Sequence, residues 1–116
     1  MSAPPEAWVG GWGFISGVGP VELENPSVAL PESVEDQTRK ILSNLDRLLQ
    51  KRGLGRQNVV SVRIHLVEFK RFHERMSRIY QEKFSQRSLP ARSCIGVAAL
   101  ARGALVEMDF IVKEPT

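Results

Sequence analysis

The sequence predicts an α+β fold in which one mixed β-sheet carries two α-helices packed on a single face. Two segments of about 15 residues repeat apolar side chains at helical spacing, and shorter alternating or β-branched segments lie around them. The predicted order is strand, helix, strand, helix, strand, strand, which suits helices layered on one sheet. A chain of 116 residues with 42% hydrophobic and 25% charged residues fits one globular domain, so we assign residues 1–116 to a single domain.

The N-terminal part is predicted to contain a lead-in, one strand and a loop. Residues 1–7 are interpreted as a flexible lead-in. From Trp8 to Ser16 bulky residues alternate with glycines, which is typical of a strand that has bulges or a close backbone neighbour. Residues 17–31 contain three prolines and are interpreted as a loop.

Both helices are predicted from apolar stripes. In the first, the apolar residues fall on one face, Ser33 is a good N-cap, and Gly53 can end the helix in the left-handed conformation. The second runs from about Lys70 to Phe84 and has a basic face opposite its apolar stripe. We interpret that face as solvated, because no exposed aromatic residues interleave with the basic ones. Nucleic acid is therefore not expected as a partner.

Residues 58–67 form the strand predicted between the helices. Aliphatic residues, Val60 among them, share one face of this strand, and His65 lies on the other. We expect His65 to be structural. No second metal ligand lies at suitable spacing beside it, so no metal site is expected.

The C-terminal part is predicted to be a hairpin. Pro90 rules out a helix at that point, and a short loop ending at Gly103 separates two segments with strand character. The hairpin would carry Arg92 and Glu107 on neighbouring strands. Such a pair can hold a small carboxylic acid beside a proton donor.

Each of these side chains also has a structural interpretation. Arg92 could be a surface arginine paired with a nearby acid, and Glu107 could form an ion pair with Arg92 or Arg63. Cys94 follows Arg92 by two residues, so the two side chains share one face of the strand. A lone strand cysteine is usually a small buried apolar residue, and no adjacent base marks this one as a nucleophile.

Composition limits the compartment and the partners. The net charge of +3 permits a polyanionic partner without requiring one. The single cysteine cannot form an internal disulfide, which suits a reducing compartment. No apolar run approaches the roughly 20 residues that span a bilayer, and the first residues lack the features of a signal peptide. We expect a cytoplasmic protein with no membrane association.

Four short stretches, taken together, resemble one known family. They are Phe14-Ile15-Ser16-Gly17, Gln37-Thr38-Arg39, Pro90-Ala91-Arg92-Ser93-Cys94, and the stretch from Gly103 to Asp109 that contains Val106-Glu107-Met108. In this order and at this spacing they resemble the reactive intermediate deaminases, the Rid or YjgF-like imine deaminases. The resemblance runs from about Gly10 to Val112.

The resemblance implies a fold, an assembly and a reaction. The fold would be a chorismate-mutase-like sandwich that forms a homotrimer with its active sites between subunits. The reaction would be hydrolytic deamination of small 2-imino or enamine acids to 2-keto acids and ammonia, without a cofactor or a metal. Arg92 would bind the substrate carboxylate and Glu107 would be the catalytic residue that serves the water. Cys94, Ser16 and Phe72 would line the substrate-binding pocket, with Phe72 coming from the next subunit.

One departure from the family keeps two alternatives open. Family members usually carry a tyrosine on an additional N-terminal strand, and the equivalent position here is Ala3, while the only tyrosine is Tyr80. The first alternative is a non-catalytic trimer, with a binding or regulatory role, that senses 2-keto acids through Arg92. The second is an endoribonuclease or translation inhibitor, which the basic face of the second helix would suit. The natural substrate is left open by the sequence.

Overall fold

The computed structural model describes residues 4–84 and 89–116, which form one mixed sheet and two α-helices. The predicted α+β class, with both helices on one face of the sheet, is confirmed. In chain order the elements are β1 (Glu6–Val9), β2 (Trp12–Val18), α1 (Val34–Gln50), β3 (Val59–Val67), α2 (Phe69–Lys83), β4 (Ala91–Val97) and β5 (Val106–Lys113).

The strand order in the sheet is β1-β2-β5-β3-β4. Strands β3 and β4 are parallel, and the other neighbours are antiparallel. Helix α2 is the crossover that parallel strands require. The predicted hairpin is therefore wrong, because β3 lies between β4 and β5. Arg102 and Gly103 have left-handed backbone conformations and reverse the chain, but the strand that follows, β5, pairs with β2 and β3 and not with β4.

The N-terminal segment folds back on itself. Gly10 and Gly11 have φ values of 54° and 82°, which fit a two-residue hairpin turn between β1 and β2. The single strand predicted from Trp8 to Ser16 is therefore wrong, since side-chain alternation continues through a tight turn. The flexible lead-in predicted for residues 1–7 extends too far, because β1 begins at Glu6. Residues 1–3 of this predicted lead-in lie outside the described residues.

Helix α1 follows its sequence signals closely. The Ser33 hydroxyl accepts a hydrogen bond from the Asp36 N–H at 3.0 Å. At the other end Gly53 has a φ of 69°, and the Leu54 N–H donates to the Leu49 carbonyl. The predicted cap and terminator are both confirmed. The apolar stripe of α1 is completely buried: Val34, Ile41, Leu42, Leu45, Leu48 and Leu49.

The helices and one face of the sheet enclose a single core. Alternate residues of the strands point into it, as do the stripes of both helices. A shift in register after Val59 places Val59 in the core and leaves Val60 42% exposed, so the prediction that Val60 shares a face with Val62 and the other aliphatic residues of this strand is wrong. The sheet contributes Ile15, Val18, Val59, Val62, Ile64, Leu66, Val106, Met108, Phe110 and Val112 to the core.

The opposite face of the sheet, which we call the open face, carries no helix. Trp12, Phe14 and Ile95 are 39%, 42% and 46% exposed on it. Charged side chains on β3 and β5 interrupt this apolar surface. Within the described residues no helix is long and apolar enough to cross a membrane.

Candidate functional site

Arg92 lies near the start of the edge strand β4 and is held against α2. In the register of β4 it is paired with Val62, whose side chain is buried, so Arg92 points to the helix side of the sheet. Its guanidinium donates a hydrogen bond from Nη2 to the Ser77 hydroxyl, and its Cζ atom lies 4.6 Å from the centre of the Tyr80 ring. Among the described residues no carboxylate forms an ion pair with Arg92.

An open cleft of about 680 Å³ lies between α2 and β4, with Arg92 in its wall. Two of its side chains are arginines and one is a glutamate, so the fixed charge favours an anion. A concave site with a few convergent polar groups is where a small ligand is expected. The lining residues are His73, Glu74, Ser77, Arg78, Gln81 and Arg92.

Cys94 and Tyr80 lie beside Arg92 in protonated form. The register pairs Cys94 with Ile64, on the same face as Arg92, which confirms the predicted shared face. Burial raises the pKa of the Cys94 thiol, and the positive charge of Arg92 only partly opposes this shift. Burial likewise raises the pKa of Tyr80 to about 12, again against the effect of Arg92. At neutral pH the thiol is therefore not a thiolate nucleophile.

Glu107 lies on the open face of the sheet. It is paired with His65 on β3 and packs against Gly17 on β2, where an added Cβ atom would come within 2.7 Å of the Glu107 Cδ atom. Beside the carboxylate is a cavity of about 20 Å³, formed with the loop after β2, Leu30 and the turn before Ala104. A cavity of this size holds roughly one water molecule.

Ser16 is also on the open face, next to Gly17. Its hydroxyl donates a hydrogen bond to the Asp109 carboxylate at 2.8 Å. Glu107, by contrast, makes no side-chain hydrogen bond or ion pair within residues 4–84 and 89–116. Of the two carboxylates on this part of β5, that of Asp109 therefore accepts a hydrogen bond from Ser16, and that of Glu107 has no partner among the described residues.

Phe72 lies in the core and not on a surface. Its side chain is 5% exposed, because it belongs to the apolar stripe of α2. The guanidinium groups of Arg71 and Arg75 cover the ring, at 4.8 and 5.4 Å from its centre. The expectation that Phe72 lines a pocket for a neighbouring subunit does not fit this burial.

One chain does not bring Arg92 and Glu107 together. Through β3 they are paired with Val62 and His65, which are three residues apart, so the two side chains point to opposite faces of the sheet. Two strand spacings separate them by about 10 Å across the sheet, and the three-residue offset adds about 10 Å along it. The hairpin geometry expected from the sequence is replaced by this wider separation.

The contacts of two buried polar residues on α1, Gln37 and Asn44, were not predicted from the sequence. The Gln37 amide donates to the Pro31 carbonyl and accepts from the Leu105 N–H, both at 2.8 Å. The Asn44 amide donates to the carbonyls of Gly19 and Val21 in the same loop region. These bonds hold the loop that borders the Glu107 cavity. The available signal was the seven-residue spacing of the two amides, which places both on the buried face of α1.

Comparisons with known proteins agree with this architecture. The family model described as Endoribonuclease L-PSP matches residues 6–114. A RutC family protein from Synechocystis is 34% identical over 106 residues, which are 90% of this chain and 81% of the relative. The mouse protein named 2-iminobutanoate/2-iminopropanoate deaminase is 37% identical over 97 residues, covering 83% of this chain and 70% of the relative.

A solved structure shows the same fold. The crystal structure of a protein of the conserved Rid family from Yersinia pestis matches with a TM-score of 0.87 at 28% identity. The match covers 97% of this chain and 93% of that one. Because both the family model and these relatives extend over most of its length, the chain belongs to the Rid (YjgF-like) family.

Proposed function

We propose that the protein hydrolyses small 2-imino or enamine acids to 2-keto acids and ammonia. The observation that carries this proposal is the environment of Arg92. Its guanidinium is held by Ser77 and by the Tyr80 ring at the wall of an open cleft, and no carboxylate of the described residues neutralises it. The mouse relative named as an imine deaminase supports the same reaction.

Arg92 would bind the substrate carboxylate. A guanidinium offers five N–H donors in a planar fork, and the bond to Ser77 uses one of those on Nη2. A pair of parallel N–H groups remains for a bidentate contact with a carboxylate, which a lysine could not supply. The substrate would then lie in the cleft with its C2 atom directed away from β4.

Glu107 would serve the attacking water. The Glu107 carboxylate takes a proton from the water as the water oxygen bonds to C2, and it passes this proton to the imine nitrogen, giving a tetrahedral carbinolamine. The hydroxyl proton then passes to the amino nitrogen, the C–N bond breaks, and ammonia leaves as the keto acid forms. The sum is one imine plus one water, converted to one ketone and one ammonia. Since no oxidation state changes, the reaction calls for no redox cofactor.

The proposal requires more than one copy of the chain. Arg92 and Glu107 point to opposite faces of one sheet, so a shared site would be built from the Arg92 cleft of one subunit and the open face of the next. The exposed apolar residues on the open face support such burial. We propose a homotrimer in which the three open faces surround the symmetry axis.

A coupled assay tests the deaminase proposal. An amino-acid oxidase generates the imino acid, and its disappearance is followed with and without the purified protein. Replacing Arg92 with Ala should lower kcat/KM by about 10- to 100-fold, as expected for loss of a charged hydrogen-bonded contact. Replacing Glu107 with Gln should lower kcat by about 100-fold or more. Equal rates for wild type and Arg92→Ala would show the proposal to be wrong.

Binding without turnover would favour the non-catalytic alternative. In that case 2-keto acids would raise the melting temperature through Arg92, while imine hydrolysis stayed at the uncatalysed rate. The departure at Ala3 from the family pattern is what keeps this alternative open.

RNA cleavage is a second candidate function, because the matching family model is described as an endoribonuclease. The basic face of α2 is partly neutralised, however. Arg75 forms two hydrogen bonds of 2.9 Å with Glu35, and Arg71 lies 3.4 Å from Glu68. RNA binding through phosphates would weaken steeply with added salt. A nuclease-free preparation with no salt-sensitive RNA binding would eliminate this candidate.

A further inference from the structure

We infer that the Arg92 cleft selects dicarboxylic ligands, with Arg78 binding the second carboxylate. The inference about substrates rests on the proposed function, and it narrows the substrate class to 2-imino acids with a second carboxylate in the side chain. The inference about ligand binding rests on the cleft alone. The two arginines line the same cleft from different elements, Arg78 from α2 and Arg92 from β4.

Arg78 differs from the arginines at other positions on the same helix. Arg71 is bonded to Glu68, and Arg75 makes a bidentate pair with Glu35. In the part of the chain that the structure describes, no ion pair involves Arg78. A second unneutralised guanidinium in an anion-binding cleft is suited to a second carboxylate.

The position of Arg78 fits this role. It follows Ser77, whose hydroxyl contacts the Arg92 guanidinium, and both Ser77 and Arg78 line the cleft. Arg78 is exposed, and its side chain lines the cleft. A cleft of about 680 Å³ also has room for a five-carbon diacid.

Glu74 is the opposing charge in the cleft. It lies one helical turn before Arg78, a spacing at which a glutamate and an arginine can pair, yet the two are not within ion-pair distance. Its carboxylate would repel a second ligand carboxylate more than it would a neutral side chain. Glu74→Gln should therefore improve diacid binding selectively, the reverse of the effect expected for Arg78→Gln.

The test compares two keto acids of equal length, 2-oxoglutarate and 2-oxopentanoate, by isothermal titration of the full-length protein. Wild type should bind 2-oxoglutarate about 10-fold more tightly, the ratio expected for one added charged contact. Arg78→Gln should remove this preference by weakening 2-oxoglutarate binding about 10-fold, with a much smaller effect on 2-oxopentanoate binding. The control is Arg71→Gln, which removes one charge from the same helix outside the cleft lining and should keep the preference.

The outcomes separate this inference from the proposed function. Keto-acid binding that depends on Arg92 but shows no preference for 2-oxoglutarate in wild type would make the dicarboxylate inference wrong, while the proposed function stands. The same conclusion would follow if the preference for 2-oxoglutarate were retained in Arg78→Gln. If Arg92→Ala binds both keto acids as wild type does, or wild type binds neither at millimolar concentration, the carboxylate site itself is wrong and both are overturned. Loss of the preference in Arg71→Gln would show a general charge effect and would also contradict the inference.

Discussion

At the scale of single residues, the arrangement around Arg92 explains how a flexible side chain can act as a fixed binding group. The Tyr80 ring lies under the guanidinium, and the Ser77 hydroxyl accepts a hydrogen bond from its Nη2 atom. A cation held over an aromatic face is stabilised by about 0.5–2 kcal/mol, depending on how far it is removed from water. The Tyr80 hydroxyl is buried and has no hydrogen-bond partner within the described residues, so the ring and not the hydroxyl accounts for this contact.

Tyr80 should therefore act as a positioning residue whose ring matters more than its hydroxyl. Tyr80→Phe keeps the ring and removes an unpartnered buried hydroxyl, so keto-acid affinity should be unchanged and the free energy of unfolding equal or higher by about 1 kcal/mol. Tyr80→Leu should raise KM for the substrate about threefold or more with little change in kcat. The checks are steady-state kinetics and urea denaturation. A Tyr80→Phe variant as impaired as Tyr80→Leu would contradict this role.

The sequence predicted part of this residue-level arrangement. Strand alternation was enough to place Arg92 and Cys94 on one face, because both belong to one local segment. The contacts of Arg92 with Ser77 and Tyr80 depend on how α2 packs against β4. The sequence pattern of either element alone contains no information on that contact.

At the scale of elements, α1 shows which structural features can be predicted from residues that are close together in the chain. Its cap, its terminator and its buried stripe were all predicted, since each depends on residues close together in the chain. Strand pairing was predicted less well. The error at Trp8–Ser16 arose because a Gly-Gly turn keeps the alternation of side chains, and the error at β4 arose because β3 supplies the partner strand from about 30 residues away.

The Ser33 cap gives an element-level prediction. Ser33→Ala should lower the free energy of unfolding by about 1 kcal/mol, because the Asp36 N–H loses its acceptor at the helix start. Ser43→Ala, the same change at an exposed interior position of α1, should be neutral or slightly stabilising, since alanine is the better helix former. Urea midpoints of the two variants decide the point. Equal destabilisation would mean that the cap bond contributes little.

The ion pair between α1 and α2 gives a pH-dependent prediction. The hydrogen bonds from Arg75 lower the pKa of Glu35 below 4.5, with burial acting in the opposite direction. A carboxylate with a lowered folded-state pKa stabilises the fold above its unfolded pKa, and this contribution is lost as the pH falls through the folded value. Wild type should therefore lose more stability than Glu35→Gln between about pH 5 and pH 3. Thermal melts across that range would show parallel curves if the pair were unimportant.

At the scale of the whole molecule, the open face is the surface that the single chain leaves uncovered. Its exposed apolar residues Trp12, Phe14 and Ile95 come from β2 and β4, which are distant in sequence, so their presence on one face depends on the strand order and could not be predicted from either segment alone. The prediction that both helices pack on one face of the sheet already implied a second face without helices. Which residues meet there became clear only from the register.

A charge placed on the open face should disrupt the proposed trimer. Phe14→Glu adds a carboxylate where the side chain is already partly exposed, so the single chain should still fold. Light scattering should then give the molecular mass of one chain for Phe14→Glu and of three chains for wild type. Val28→Glu is the matched control, because Val28 is 47% exposed in the loop between β2 and α1 and not on a strand of the open face. A wild-type protein that is monomeric and still turns over imines would contradict the trimer.

Mixing two inactive variants tests whether Arg92 and Glu107 act across a subunit boundary. Arg92→Ala chains keep Glu107, and Glu107→Gln chains keep Arg92. If each site takes one of these residues from each of two neighbours, unfolding and refolding an equal mixture should restore about a quarter of the wild-type sites. If both residues of a site come from one chain, every site in the mixture retains a defect and no activity returns. The distance across the sheet and the opposite faces favour the first result. The same variants mixed without refolding give the baseline, and recovery that does not exceed it would place both residues in one subunit.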